Sequence, residues 1–157
     1  MHIPNQGSLF GQRDQAASTE ATRRQQQLRY WRAHLNGSTS KNDVISGFSS
    51  RRPSAKTKIN KPEISAPGEF IVSAGTENPK DYKNLSGTSM ACPHVAGVVA
   101  LLLSANPTWK YDDVLAAMTR TADRPPVTRK CGNSTENGHP NYAYGYGRVN
   151  AKNAVGL

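Results

Sequence analysis

The chain is 157 residues long and 36% apolar, with a mean hydropathy of −0.66 and a formal net charge of +9 from 20 Lys and Arg against 11 Asp and Glu. That length suits one domain with a modest core, and the low apolar share points to a loop-rich domain or one carrying a poorly structured extension. No apolar run is long enough to suggest a membrane span, two cysteines exclude a disulfide framework, and no His or Cys spacing suits a metal, so neither metal nor cofactor is expected.

The opening stretch, MHIPNQGSLFGQRDQAAS, lacks a basic region followed by an apolar one, so no signal peptide is expected. Residues 1–36 read as a basic arm. STEATRRQQQLRYWRAHL has helix-forming composition, Ser18 or Thr19 could cap it, and Leu28, Trp31 and Leu35 share one helical face among arginines. Much of the basic excess lies before Pro62, in Arg23, Arg24, Arg29, Arg32, Arg51, Arg52, Lys56, Lys58 and Lys61. A packed or partly disordered arm is the plain reading; an anion-binding arm is the functional alternative. No nucleic-acid or membrane partner is expected of the chain as a whole.

Residues 37–157 have a different character. Gly37 to Pro62 is rich in turn residues around VISGFSS, and KPEISAPGEFIVSAG then gives two short β-type runs, Ile64 to Ala66 and Phe70 to Ser73. A polar loop, TENPKDYKN, leads to LSGTSMACPHVAG. Beyond Ser89, Val95, Val98, Val99, Leu102 and Leu103 keep a helical rhythm with small residues between them, so this helix is expected to be buried on nearly all sides. Pro93 is expected in its first turn, and Asn106-Pro107 ends it. A second helix follows at about Tyr111 to Thr121, with Val114, Leu115, Met118 and Ala122 on one face. After a long loop, YAYGYGRVNAKNAVGL supplies a Gly-rich turn and a short helix.

Ser89 is the candidate nucleophile. A serine hydroxyl needs a base to take its proton and donors to hold the oxyanion that forms. The N-terminus of a buried helix supplies free backbone N–H groups and the positive end of the helix dipole. Gly87 and Ala91 on either side let a substrate backbone come close. The same serine could instead be an ordinary N-cap.

SGTSMACPHVAGVVALLLSANP resembles the nucleophile segment of the subtilisin-like serine proteases, the subtilases. GFSSRRPSAKTKINKPEISAPG resembles the family's preceding segment, NPTWKYDDVLAAMTRTAD its next helix, and YGYGRVNAKNAV its closing turn and helix. The resemblance covers about Gly37 to Leu157 in the family's order. It implies a partial α/β fold, a parallel sheet with flanking helices whose N-terminal half is missing, and peptide-bond hydrolysis through an acyl-enzyme. Ser89 matches the nucleophile, its own N–H one oxyanion donor, and Gly87, Thr88 and Met90 the motif on the substrate and oxyanion side. Pro93, His94 and Gly97 match structural positions, His94 being a helix residue and not the general base. Protein or peptide substrates and an extracellular location are what the family implies.

The family places its triad Asp in a D-[ST]-G context and its His in H-G-T, and neither occurs in this sequence. None of His2, His34, His94 and His139 is followed by Gly-Thr, and Asp14 is followed by Gln-Ala. Asn5, in PNQG, is the nearest approach to the family's side-chain oxyanion donor. The expectation is a chain inactive as it stands, marginally stable, and presenting apolar surface that a protein partner could cover, such as the N-terminal half of a protease. A non-catalytic binding or regulatory fragment docking through that surface is the alternative.

Smaller expectations attach to single residues. Arg52 stands where the family has Gly and would be strained by about 1 kcal/mol if its φ is positive. Lys110 replaces a usual capping residue, leaving the second helix less well capped. Cys92 reads as a buried filler and Cys131 as a loop cysteine. Asn36, Asn84 and Asn133 open glycosylation sequons.

Overall fold

The structure, a computed structural model, describes residues 36–53, 60–127 and 138–156, all within one compact unit from His34 to Leu157. The basic arm, apart from the backbone of Asn36, lies outside the described residues, as do His2, His34, Asn5, Lys56, Lys58, Cys131 and Asn133.

Strands β1 (Asn36–Thr39) and β2 (Ile64–Pro67) form a parallel pair, with Asn36 opposite Ile64 and Thr39 opposite Pro67. Strands β3 (Ile71–Ala74) and β4 (Tyr82–Leu85) form a separate antiparallel hairpin, Ile71 facing Leu85 and Ala74 facing Tyr82. Helices α1 (Thr88–Ala105), α2 (Tyr111–Thr121) and α3 (Ala151–Val155) follow.

The parallel pair is the centre of the fold. Ile64, Ser65 and Ala66 are all fully buried, which is a parallel strand covered on both faces and not an amphipathic one. Both edges are occupied. Beyond β2, Ser65 N–H donates to Gly147 O (2.9 Å) and Val149 N–H to Ser65 O (2.8 Å), and the Ser65 hydroxyl also donates to Gly147 O. Beyond β1, Ser46 N–H donates to Ser38 O and the Ser49 hydroxyl accepts from Ser38 N–H. The returning loops therefore leave no bare edge along the middle of the pair.

The closing turn is pinned from beneath. Gly145 has φ 65°, and a Cβ there would lie 2.2 Å from Glu63 O, so no larger residue fits. Tyr144 is fully buried beside Ile45, Val127 and Ala143, its hydroxyl donating to Asp43 O (2.8 Å) and accepting from Ile45 N–H (3.1 Å). Arg148 joins the carboxylates of Asp43 and Asp123, and Asn150 also donates to Asp123. The hydrogen bond from Arg148, then that from Asn150, holds the Asp123 carboxyl below its ordinary value of 3.8. The same pairing raises Arg148.

Helix α1 packs on β1, β2 and α3 through Ala91, Val95, Val98, Val99 and Leu102. Its burial is one-sided, contrary to expectation: Pro93, His94, Gly97, Ala100 and Ser104 are exposed, and so is Leu101, at 54%. Its covered side meets β1, β2, α2 and α3, while the residues just named are left exposed. By length and a mean hydropathy of 1.6, α1 is apolar enough to cross a membrane, a composition that core helices share.

Several local expectations are corrected. The helix begins at Thr88, so Pro93 lies in its second turn and not its first, and Ser89 O loses the N–H donor that residue 93 would otherwise provide. Arg52 is not at positive φ; among described non-glycine residues Asp43 (60°) and Phe70 (56°) are. The Lys110 side chain caps nothing, having only donors, but its N–H donates to the Asp113 carboxylate (2.9 Å), half of a capping box. Cys92 is a half-buried free thiol rather than a fully buried filler. Neither β1 nor β4 is evident from sequence: NGST and YKNL lack apolar alternation.

Candidate active site

The end of β2 is stitched to the start of α1. Gly68 N–H donates to Thr39 O (3.0 Å) and Gly87 N–H donates to Gly68 O (2.7 Å). A Cβ on Gly68 would lie 2.5 Å from Ser38 Oγ, 2.7 Å from Gly87 O and 3.0 Å from Ala91 Cβ. Only a glycine lets the sheet come this close, and the contact fixes where the helix begins.

Gly87 is the N-cap, in an extended conformation, and its carbonyl accepts from Met90 N–H (2.9 Å) and Ala91 N–H (3.3 Å). Thr88, Ser89 and Met90 form the first turn. Among the described residues nothing accepts from the Ser89 N–H, no side chain caps the helix, and no acidic residue stands in its first turn. The positive end of an 18-residue helix is thus left open at Ser89. That suits a developing oxyanion.

The Ser89 side chain is exposed at the edge of an open cleft of about 560 Å³. Residues 71–76 with Lys83 and Leu85 form one wall, and Ser89, Met90, Pro93 and His94 of α1 the other. Strand β3 matches the expected β-type run Phe70 to Ser73, whereas β4 escapes sequence reasoning because YKN reads as loop. The alternation that puts Lys83 and Leu85 on one face has only one strongly apolar member.

No base reaches the nucleophile among the described residues. The Ser89 hydroxyl makes no hydrogen bond there. His94 borders the cleft, but its Nδ1 is 2.9 Å from Met90 O, one turn back on its own helix. Residues five apart stand roughly 140° from each other around a helix, which separates the directions of Ser89 and His94. His139 Nδ1 lies 3.3 Å from Gly145 O, in the closing turn. Lys83 Nζ is paired with Glu77 Oε1 at 2.6 Å. Gly87, Thr88, Ser89, Met90, Pro93 and His94 thus lie together at the start of α1, while Gly97 sits on its exposed face, where an added Cβ would meet nothing within 4 Å. No group of His, Cys, Asp and Glu among the described residues could hold a metal.

The subtilase family model matches residues 14–147. The chain belongs to the subtilase family. It is 39% identical over 117 residues to the minor extracellular protease Vpr of Bacillus subtilis, covering 72% of this chain and 14% of that protein. It is 38% identical over 124 residues to subtilisin-like protease SBT4.3 of Arabidopsis thaliana, covering 70% and 16%. The chain therefore spans about a sixth or less of these relatives. Among solved structures, the Clostridium perfringens CspB protease superposes with a TM-score of 0.58 at 29% identity, over 76% of this chain and 24% of that one. Fervidolysin from Fervidobacterium pennivorans, a keratinolytic enzyme related to subtilisin, gives 0.58 at 27%, over 78% and 18%. The fold is part of the subtilisin-like α/β fold, as the resemblance implied.

Proposed function

We propose that residues 37–157 are the nucleophile-bearing C-terminal part of a subtilisin-like serine endopeptidase domain, acting on proteins or peptides outside the cell. Ser89 is the nucleophile that forms the acyl-enzyme, and its own N–H is one oxyanion donor. The observation that carries this reading is the open start of α1, where, among the described residues, neither the hydroxyl nor the N–H of the exposed Ser89 has a partner. Attack on a peptide carbonyl requires the hydroxyl proton to leave as the C–O bond forms. Neither D-[ST]-G nor H-G-T occurs in the 157 residues, so the chain by itself holds the nucleophile without its base. It does not turn over substrate alone, and the exposed face of α1 is where a protein carrying those two segments would dock.

A fluorophosphonate probe read by mass spectrometry tests this, with Ser89→Ala as control. The purified chain is expected to take up no probe at Ser89 beyond the rate of an ordinary serine. Labelling is expected to appear on mixing with a subtilase fragment that contains both missing segments. Rapid labelling of Ser89 in the chain alone would overturn the half-site reading and send the search for a base to His2 and His34. A mixture that never labels would leave Ser89 an inherited hydroxyl and favour the non-catalytic reading.

A further inference from the structure

We propose that Asn84 is an N-glycan acceptor and that its glycan covers the outer apolar face of the β3–β4 hairpin. The sequon is Asn84-Leu85-Ser86, and Asn84 is exposed on β4. Side chains alternate across a strand, and of β4 Lys83 and Leu85 line the cleft with Ser89 while Tyr82 and Asn84 do not; Val72 and Ala74, their register partners on β3, line part of the same cleft. Asn84 stands directly opposite Val72 in the hairpin register, and Tyr82 opposite Ala74. Val72 is 64% exposed, Tyr82 72% and Phe70, just ahead of β3, 72%. Such a cluster of bare apolar side chains on one small hairpin needs something to cover it. An N-linked sugar has the matching chemistry. The C–H face of a pyranose ring packs on an aromatic or branched side chain while its hydroxyls stay in water, and the linkage at Asn84 places the first ring beside Val72 and Tyr82.

The transfer is a substitution at a sugar carbon. The Asn84 amide nitrogen displaces a lipid-linked diphosphate from the anomeric carbon of a polyprenyl-diphosphate oligosaccharide. The N–C bond forms, the C–O bond to phosphate breaks with its electron pair leaving on the diphosphate, and the amide gives up one proton. In the folded hairpin the Ser86 hydroxyl accepts from Phe70 N–H at 2.8 Å. The Ser86 hydroxyl keeps its own proton and a second lone pair free of that bond.

This inference rests on the extracellular route proposed above, and the test imposes that route. The full chain is sent through a eukaryotic secretory pathway behind a cleavable signal peptide, and total microsomal protein is treated with a peptide N-glycosidase in heavy-oxygen water. Labelled aspartate is expected at position 84 in the majority of molecules, absent from Asn84→Gln and Ser86→Ala and retained in Ser86→Thr. An unmodified Asn84 in this fraction overturns the site whatever happens at Asn36 and Asn133, without touching the question of where the native chain resides. Enzymatic deglycosylation of the native protein is expected to raise binding of an apolar dye, and Phe70→Thr with Tyr82→Thr to remove that rise. A dye signal unchanged by deglycosylation overturns the covering role.

Discussion

The two sheets of this protein are built from equally short strands and meet opposite fates. In the parallel pair, Ile64, Ser65 and Ala66 are fully buried, and loops and α1 close over them. In the hairpin, Val72, Tyr82 and Leu85 are more than half exposed, and β3 with Lys83 and Leu85 borders the open cleft. Helix α1 runs between the two situations. Its inner side is buried against the rest of the molecule, and its exposed N-terminus carries Ser89, the proposed nucleophile. Stability and function are thus divided by helix face, and substitutions on the two sides should behave as if they belonged to different proteins.

The largest contrast lies at adjacent positions. Leu102 is fully buried, and Leu101 is 54% exposed. Leu102→Ala is expected to cost about 2–5 kcal/mol, enough to unfold a marginal chain, whereas Leu101→Ala should stay within about 0.5 kcal/mol. Urea denaturation followed by circular dichroism measures both. Comparable losses at the two positions would mean that something covers the outer face in the isolated chain. Gly68→Ala should follow Leu102→Ala in severity, at about 1–3 kcal/mol, because its Cβ meets the backbone oxygen of Gly87 at 2.7 Å. It should also slow probe capture by Ser89 in a complemented mixture, since the start of α1 would have to shift.

How much of this was legible in the sequence follows the same division. The inner side of α1 could be read from the Val95, Val98, Val99 and Leu102 rhythm, and β2 from its continuous small and apolar run. The two-sidedness of α1 could not, because Gly97, Ala100 and Leu101 look as apolar as the buried residues; what covers a helix is a property of the other layers. Strand β4 was hidden because its residues answer to a solvent-facing hairpin rather than to a core. Ser89 is singled out by its motif, and the expectation of a missing base rests on the absence of two short motifs from the sequence. The stitch at Gly68 depends on a backbone approach between segments distant in sequence, which no local pattern reports.

Two substitutions sharpen the comparison in the opposite direction, toward greater stability. Phe70 has φ 56° and gains little from burial, being 72% exposed. An aromatic residue is costly in the left-handed region, so Phe70→Asn is expected to stabilise the hairpin by about 1 kcal/mol. Gly97→Ala adds a methyl that meets nothing within 4 Å, and helix propensity alone should raise stability by about 0.8–1 kcal/mol. If the outer face of α1 is a docking surface, the same alanine should weaken complementation while strengthening the isolated chain. A variant that improves both would argue against docking at that point on the helix.

The smallest expected effect concerns the ion pair far from the cleft. Arg148 and Asn150 hold the Asp123 carboxyl below its ordinary value of 3.8, so the folded state favours the ionised form more than the unfolded chain does. Its contribution is therefore complete above 3.8 and is lost as pH falls through the lower folded value. Arg148, raised by the same contacts, stays charged throughout that window. The side chains of Arg148 and Asp123 are 30% and 34% exposed, so solvent screens the pair and roughly 0.5 kcal/mol is the scale to expect. Asp123→Asn should lower the melting temperature slightly near neutral pH, and the gap from the parent should close on acidification below 3.8. The gap should also narrow in high salt, as a partly exposed ion pair requires. A gap that persists at the acid end would assign the loss to the hydrogen bonds with Asn150 and Arg148 as neutral geometry, and not to charge.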